Sequence, residues 1–322
     1  MKRRTFILAA MIAAFVPAQS QAQQWPAKTV RIMVPFGPGS TPDIVARLVG
    51  EQLQAKYPNS AFVIENKPGA SGNTGTDAVA KAAPDGMTIG VSIGGPLAIN
   101  TLLFSKLPYD PAKDLIAVTQ LVTMPSTLAV HPDLGVNTVA ELIELLKKNP
   151  GKYNYGSIGN GSLSHLTMEA IAQKSGAKMV HIPYQSSPAA MTALMRGDVH
   201  MAALPAISVT PQAEAGKAKI LAVSLPKRSP FLPAIPTLKE SGIDVEADTW
   251  MGLIAPDGTS PAFIEALNKD VAEAITSKSA REKLATQFME PVGNSPAQFR
   301  TVIDSEITRW APIIKAGDVK IN

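Results

Sequence analysis

The stretch from Val30 to Arg47 constrains this chain most. Val30, Ile32 and Val34 alternate as a buried strand, Pro35-Phe36-Gly37-Pro38-Gly39-Ser40 form a turn, and Thr41-Pro42-Asp43 open a helix. The spacing predicts Thr41 as N-cap and Pro42 at the first helical position, where its missing N–H would be unpaired anyway. Asp43 falls in the first turn, where the positive end of the helix dipole favours an acid. Strand, loop and helix in this order are the unit of an α/β fold. Glycines in the loop let backbone N–H groups turn towards one point in front of the helix, a place suited to an anion. Nothing in the stretch looks like a nucleophile with its base.

The same device recurs downstream. Lys152 to Gly156 reads as a strand, Ser157-Ile158-Gly159-Asn160-Gly161 as a small-residue loop, and Ser162 to Ser175 as a helix. Leu163, Leu166, Ala170 and Ile171 recur at i, i+3, i+7 and i+8 and give that helix one apolar face. Two such loops in two halves predict a cleft, although Gly-rich strand-to-helix turns are common in α/β proteins generally. A third stretch, Asn66 to Gly75, is a loop before a short helix predicted over Thr76 to Ala82. It reads either as a third wall of the cleft or as a surface turn. Its glycines at 69, 72 and 75 match neither G-x-G-x-x-G nor the phosphate-loop Gly-Lys-Ser/Thr ending, so no nucleotide site is expected.

The apolar run Ile116 to Val130 is broken by Met124-Pro125-Ser126, and a proline there marks an edge or a crossing between units. A return is expected around Ala247 to Leu253. The chain therefore divides into residues 23–124 with 249–322 as one lobe and 125–248 as the other. Further helix starts are read at Thr138-x-x-Glu141, Ser187-Pro188, Ser260-Pro261, Ser279-x-x-Glu282 and Ser295-Pro296-Ala297-Gln298.

Residues 1–22 have the form of a secretion signal: Lys2-Arg3-Arg4, the apolar run Phe6 to Val16, and Ser20-Gln21-Ala22 as the cleavage site. Periplasmic location after cleavage behind Ala22 is expected; a retained anchor is the alternative. Arg3-Arg4 fits a twin-arginine signal or an ordinary basic segment. Cleavage removes three positive charges and no acid, so the formal charge of +4 becomes +1. The sequence pI of about 9.1 is thus no argument for nucleic-acid binding. With no cysteine, disulfides, thiolate catalysis and Cys-ligated metals are excluded.

The four histidines lack metal spacing, so no metal site is expected. His165, in the first turn of the second helix, reads equally as a ligand contact or as the partner of a nearby backbone group. Tyr184 reads as a ligand contact or as hinge packing. No Gly-x-Ser-x-Gly surrounds Ser71, Ser157 or Ser162, which argues against a hydrolase. Trp250 and Trp310 read as core.

The pattern Pro35-Phe36-x-x-Gly39-x-x-x-Asp43-Ile44-Val45-Ala46-Arg47 resembles the opening of the Bug-type periplasmic receptors of tripartite tricarboxylate transporters. Asn66-Lys67-Pro68-Gly69-Ala70-x-Gly72-Asn73-x-Gly75, Gly159-x-Gly161-Ser162-x-Ser164-His165-Leu166, Pro183-Tyr184, Trp250-x-Gly252-Leu253 and Glu306-x-x-Arg309-Trp310 extend the resemblance over essentially the whole mature chain. It implies a two-lobed periplasmic-binding-protein (Venus flytrap) fold, each lobe a β-sheet flanked by helices, joined by two crossovers. It also implies a non-enzymatic, cofactor-free, monomeric receptor that captures a small organic carboxylate between the lobes and hands it to a membrane permease. A receptor feeding a sensor kinase is the alternative, and a secreted hydrolase a weaker one. The ligand-binding residues implied are Phe36, Gly39, Ser40, Thr41 and Asp43; Ala70, Ser71 and Asn73; and Ser157, Gly159, Asn160, Gly161, Ser162, His165 and Tyr184. Where the family commonly has Gly-Gly, Thr and Lys-Gly, this chain has Gly39-Ser40, Pro42 and Gln185-Ser186. A bulky residue at Gly161 is expected to block approach of the ligand.

Overall fold

The computed structural model describes residues 25–321; the proposed signal segment and its cleavage site lie outside the described residues. Strand β1 (Thr29–Val34) buries Val30, Ile32 and Val34 completely and leads into α1 (Thr41–Lys56), whose Val45, Val49 and Leu53 recur every fourth residue on the buried face. β2 (Ala61–Asn66) lies parallel to β1 along its whole length. After a 3-10 turn at Ala70–Gly72 come α2 (Asn73–Ala80) and β3 (Thr88–Ile93), parallel to β1 on its other side. A π-turn at Gly95–Ile99 runs into the short α3 (Asn100–Leu103), and β4 (Leu115–Met124) completes this passage.

Pro125 separates β4 from β5 (Ser126–Val130), which belongs to a different sheet. A proline has no N–H for a ladder, so the strand cannot run on unbroken. The second sheet is built from α4 (Val139–Lys148), β6 (Asn154–Ser157), α5 (Leu163–Ser175), β7 (Val180–Pro183), α6 (Ser187–Arg196), β8 (Met201–Pro205), α7 (Ala206–Glu214) and β9 (Lys219–Val223). Its order is β7-β6-β8-β5-β9, with β6 parallel to both β7 and β8.

The chain then returns through β10 (Thr249–Pro256), antiparallel between β3 and β4, followed by α8 (Pro261–Thr276), α9 (Lys278–Ala285), β11 (Glu290–Pro291) and α10 (Pro296–Ala316). The first sheet has the order β11-β4-β10-β3-β1-β2. The architecture is two mixed sheets flanked by helices. At the two passages between the sheets, Asp248 accepts from Thr123 Oγ1 at 2.9 Å and lies 3.8 Å from Arg309 of α10. α10 spans both units: Phe299 and Ile303 pack with Trp250 in one apolar cluster, whereas Trp310, Ile313 and Ile314 join Leu166 and Ile171 of α5 in another. Near the start of the described chain, Trp25 Nε1 donates to Asp270 of α8 at 2.7 Å.

Four helix starts differ from their expected positions. Ser40, extended at φ −68° and ψ 158°, is the N-cap of α1, so Thr41 is already helical and Pro42 stands one position later. Ser186 rather than Ser187 caps α6, and Ser277 rather than Ser279 caps α9. In α1 and α6 the signal was a proline, which is tolerated throughout the first turn, where no intrahelical N–H bond exists, and so locates a cap only to within a residue. α2 begins at Asn73 rather than Thr76, because Gly72 in the left-handed region brings the chain into the helix earlier.

Candidate functional site

Both expected loops follow the carboxyl ends of parallel strands at the point where strand order reverses. β1 sits between β2 and β3, and β6 between β7 and β8, the places where open α/β sheets leave a crevice for ligands. A direct contact joins the two units there. A Cβ on Gly161 would lie 2.6 Å from Leu103 Cδ1 of α3 and 2.7 Å from Ile321 Cδ1.

In the first loop, the Asp43 carboxylate is 1% exposed and organises the backbone. It accepts from Gly39 N at 2.8 Å, Arg47 Nε at 2.9 Å and Asn66 Nδ2 at 2.9 Å. Burial alone would raise its pKa, but these donors, Arg47 foremost, hold it below the usual carboxylate range. The Asp43 oxygens, expected among the ligand contacts, are committed to the loop. Gly39, at φ +78°, supplies the left-handed turn, and its amide is spent on Asp43. The Ser40 amide donates to Gly37 O. What is left pointing out of the helix end is the N–H of Thr41 and of Asp43, which have no partner among the described residues, and the Ser40 hydroxyl, a buried oxygen with none either.

Phe36 and the 69–72 turn form a second layer. A Cβ on Gly72 would stand 2.7 Å from Pro96 Cγ and 2.9 Å from Phe36 Cζ, so the loops after β1, β2 and β3 meet at these three residues. Ala70 and Ser71 are exposed and adopt φ of +47° and +56°, a conformation costing a side-chain-bearing residue about 1–3 kcal/mol. The strain is held from beneath. Asn73 is buried and accepts from Asn100 Nδ2 at 2.7 Å and Tyr109 OH at 3.0 Å, while Asn100 also donates to Ser71 O. Asn73 is thus a support of the turn rather than a group facing the crevice. Asn100 and Tyr109 were not singled out from sequence, because neither stands in a glycine-rich stretch.

The second loop satisfies most of its own atoms. Ser162 caps α5, accepting from His165 N at 3.3 Å, and its hydroxyl donates to Gly159 O at 2.7 Å. Ser157 Oγ is 3.2 Å from both Gly159 N and Gly159 O. Asn160 is exposed and its side chain donates to Lys320 O. Gly161 donates its amide to His165 Nδ1 at 3.0 Å. Three residues of the expected site are engaged within the protein. His165, 5% exposed, is the partner of a backbone group. The Gly161 amide is not free for a ligand, and bulk at Gly161 would strike Leu103 and Ile321 before anything bound. Tyr184 is half-buried with its ring against Gly156 and packs with Ile182 and Leu194, a packing role within the second unit.

Among the described residues the amides of Leu163 and Ser164 lack a partner, and so does the buried hydroxyl of Ser164, a residue 4% exposed. Ser164 was not among the expected site residues, since a serine in the first turn of a helix usually bonds its own backbone. Each unit thus presents the same set at a helix N-terminus: two unpaired amides and one unpaired buried hydroxyl. No Lys or Arg belongs to either set. Such a set is suited to donate to negative oxygen, and it contains no nucleophile–base pair. Among the described residues no group of three His, Asp or Glu side chains is placed to hold a metal.

The model of the tripartite tricarboxylate transporter family receptor matches residues 45–319. BugT of Bordetella pertussis is 35% identical over 318 residues, covering 98% of this chain and 96% of that protein. The R. palustris protein Rpa4515, solved with adipate, superposes with a TM-score of 0.81 at 34% identity, covering 92% of this chain and 99% of that one. The periplasmic binding protein BugD gives 0.76 at 30% identity, with 92% and 99% covered. MatC from Rhodopseudomonas palustris, with bound malate, gives 0.75 at 28% identity, with 90% and 100% covered.

Proposed function

The chain belongs to the tripartite tricarboxylate transporter receptor family, solute-binding receptors rather than enzymes, and from that membership we propose that it captures a dicarboxylate between its two lobes. The observation that carries the reading is the matched pair of buried, unpartnered hydroxyls, Ser40 and Ser164, each beside two unpaired amides at a helix N-terminus. A carboxylate held by both sets would have four N–H groups and two O–H groups to draw on, more donors than its two oxygens need. Charge-assisted hydrogen bonds contribute about 1.5–3 kcal/mol each, so roughly four reach the roughly −8 kcal/mol of micromolar binding after closure costs. The exposed turn at Ala70 and Ser71 stands beside this point and is the candidate for meeting the rest of the molecule. Relatives solved with adipate and malate support short dicarboxylates as the class.

The lobes are residues 23–124 with 249–322, and 125–248, hinged at Pro125 and Asp248. A ligand that contacts both favours the closed state. The secreted receptor delivers its ligand to the membrane permease of such a transporter. Calorimetry with adipate, malate and other C4–C6 dicarboxylates tests the reading. Binding by wild type that weakens about tenfold in both Ser40→Ala and Ser164→Ala supports it. No heat from any of these acids at millimolar concentration, or full affinity in both variants, overturns it.

A further inference from the structure

Beneath the second loop lie two histidines bonded to the loop itself. Their rings stack with centroids 3.8 Å apart and planes 8° from parallel, and Tyr155 stacks on His181 in turn at 5.0 Å. His165 Nδ1 accepts the Gly161 N–H, which requires a neutral ring carrying its proton on Nε2. His181 Nε2 lies 2.6 Å from Ser157 Oγ. His181 Nε2 and Ser157 Oγ share a hydrogen bond, and Ser157 Oγ in turn accepts the Gly159 N–H at 3.2 Å. The two rings therefore hold both glycines of the loop, at φ +121° and +71°, where the backbone has the most freedom to wander.

We propose that His165 and His181 are positioning residues: an uncharged stacked pair that fixes Gly159 and Gly161 so that the Leu163 and Ser164 donors stay aimed at the carboxylate. The inference rests on the reading of this loop as half of the binding site. A proton on His165 Nδ1 removes the acceptor of Gly161 and sets a charge against a second ring. The groups facing it are His181, Tyr155 and Glu169; only Glu169 opposes that charge, from 3.9 Å at the far nitrogen, and it already accepts from Tyr155 OH at 2.6 Å. Burial keeps both rings neutral, their pKa values lowered to about 4.

The test compares His165→Phe, which keeps the stack and loses the acceptor, with His165→Asn, whose Oδ1 stands near the place of Nδ1. Amide hydrogen exchange at Gly161 is read by NMR, and affinity for adipate and malate by calorimetry. Exchange at Gly161 is expected to speed up in His165→Phe, affinity to fall about tenfold, and His165→Asn to restore most of both. Unchanged exchange and affinity in His165→Phe, or equal loss in Phe and Asn, overturns the proposal. If neither acid binds wild type, the dicarboxylate reading fails while Gly161 exchange still decides the positioning role. If His165→Phe does not fold, Ser157→Ala takes its place; it cuts the link from His181 to Gly159, and unchanged Gly159 exchange there is the overturning result.

Discussion

Asp43→Ala removes the one acceptor around which the first loop is wound. Three donors lose their partner. Arg47 is half exposed and turns to water, so its share is at most about 1 kcal/mol. The bonds from Gly39 N and Asn66 Nδ2 end on a charged, 1%-exposed carboxylate and contribute about 1.5–3 kcal/mol each. Against them stands the cost of burying that carboxylate, several kcal/mol, which the variant recovers in part. The balance is a net loss of about 3 kcal/mol. For a chain of this size it corresponds to a fall in Tm of roughly 5–10 °C by scanning calorimetry. Because the folded-state pKa of Asp43 is depressed, this stabilisation is present above the ordinary carboxylate pKa and is lost as pH falls through the lower folded value. The Tm gap between wild type and variant should therefore close on acidification below about pH 4. Below the Tm of the variant, dicarboxylate affinity should still be reduced, because the Thr41 and Asp43 amides lose their fixed direction. A Tm within about 1 °C of wild type at pH 7, or a gap that widens in acid, would refute the reasoning.

Gly252→Ala should cost at least about 2–3 kcal/mol, since a Cβ there lies 1.9 Å from Cζ of the fully buried Phe299, which is itself held edge-on to Trp250; adding Phe299→Leu should recover part of the lost Tm, and purely additive losses would contradict the clash. Burial pushes the Glu306 carboxyl up to about 7, with Arg309 and Trp310 only partly offsetting it. Its folded pKa lies above the unfolded value, so stability due to the neutral acid is present below about pH 4.5 and lost as pH rises towards 7. Urea midpoints of Glu306→Gln should lack that decline relative to wild type over pH 5–8, and identical slopes would sink the assignment.

The pattern of the chain determined a good deal. Alternation at Val30, Ile32 and Val34, the small-residue loops before two helices, and a proline dividing one apolar run specify strand–loop–helix units and a break between sheets, because backbone periodicity and the missing proline N–H are local facts. The caps at Thr138, Ser260 and Ser295 were legible for the same reason. Which loop atoms remain free was not. Gly39 and Gly161 look equally available in sequence, yet each gives its amide to a side chain four residues on, and that depends on Asn66 and Arg47 meeting Asp43, and on His165 of α5 stacking against His181, 16 residues away on β7. Tertiary packing likewise set Gly161 against Leu103 and Ile321 and left Ser164, which was not among the expected ligand-binding residues, as a buried hydroxyl without a partner among the described residues. A hydrogen bond is satisfied by whatever the fold brings within about 3 Å, and sequence spacing reports that distance only along a single helix or strand.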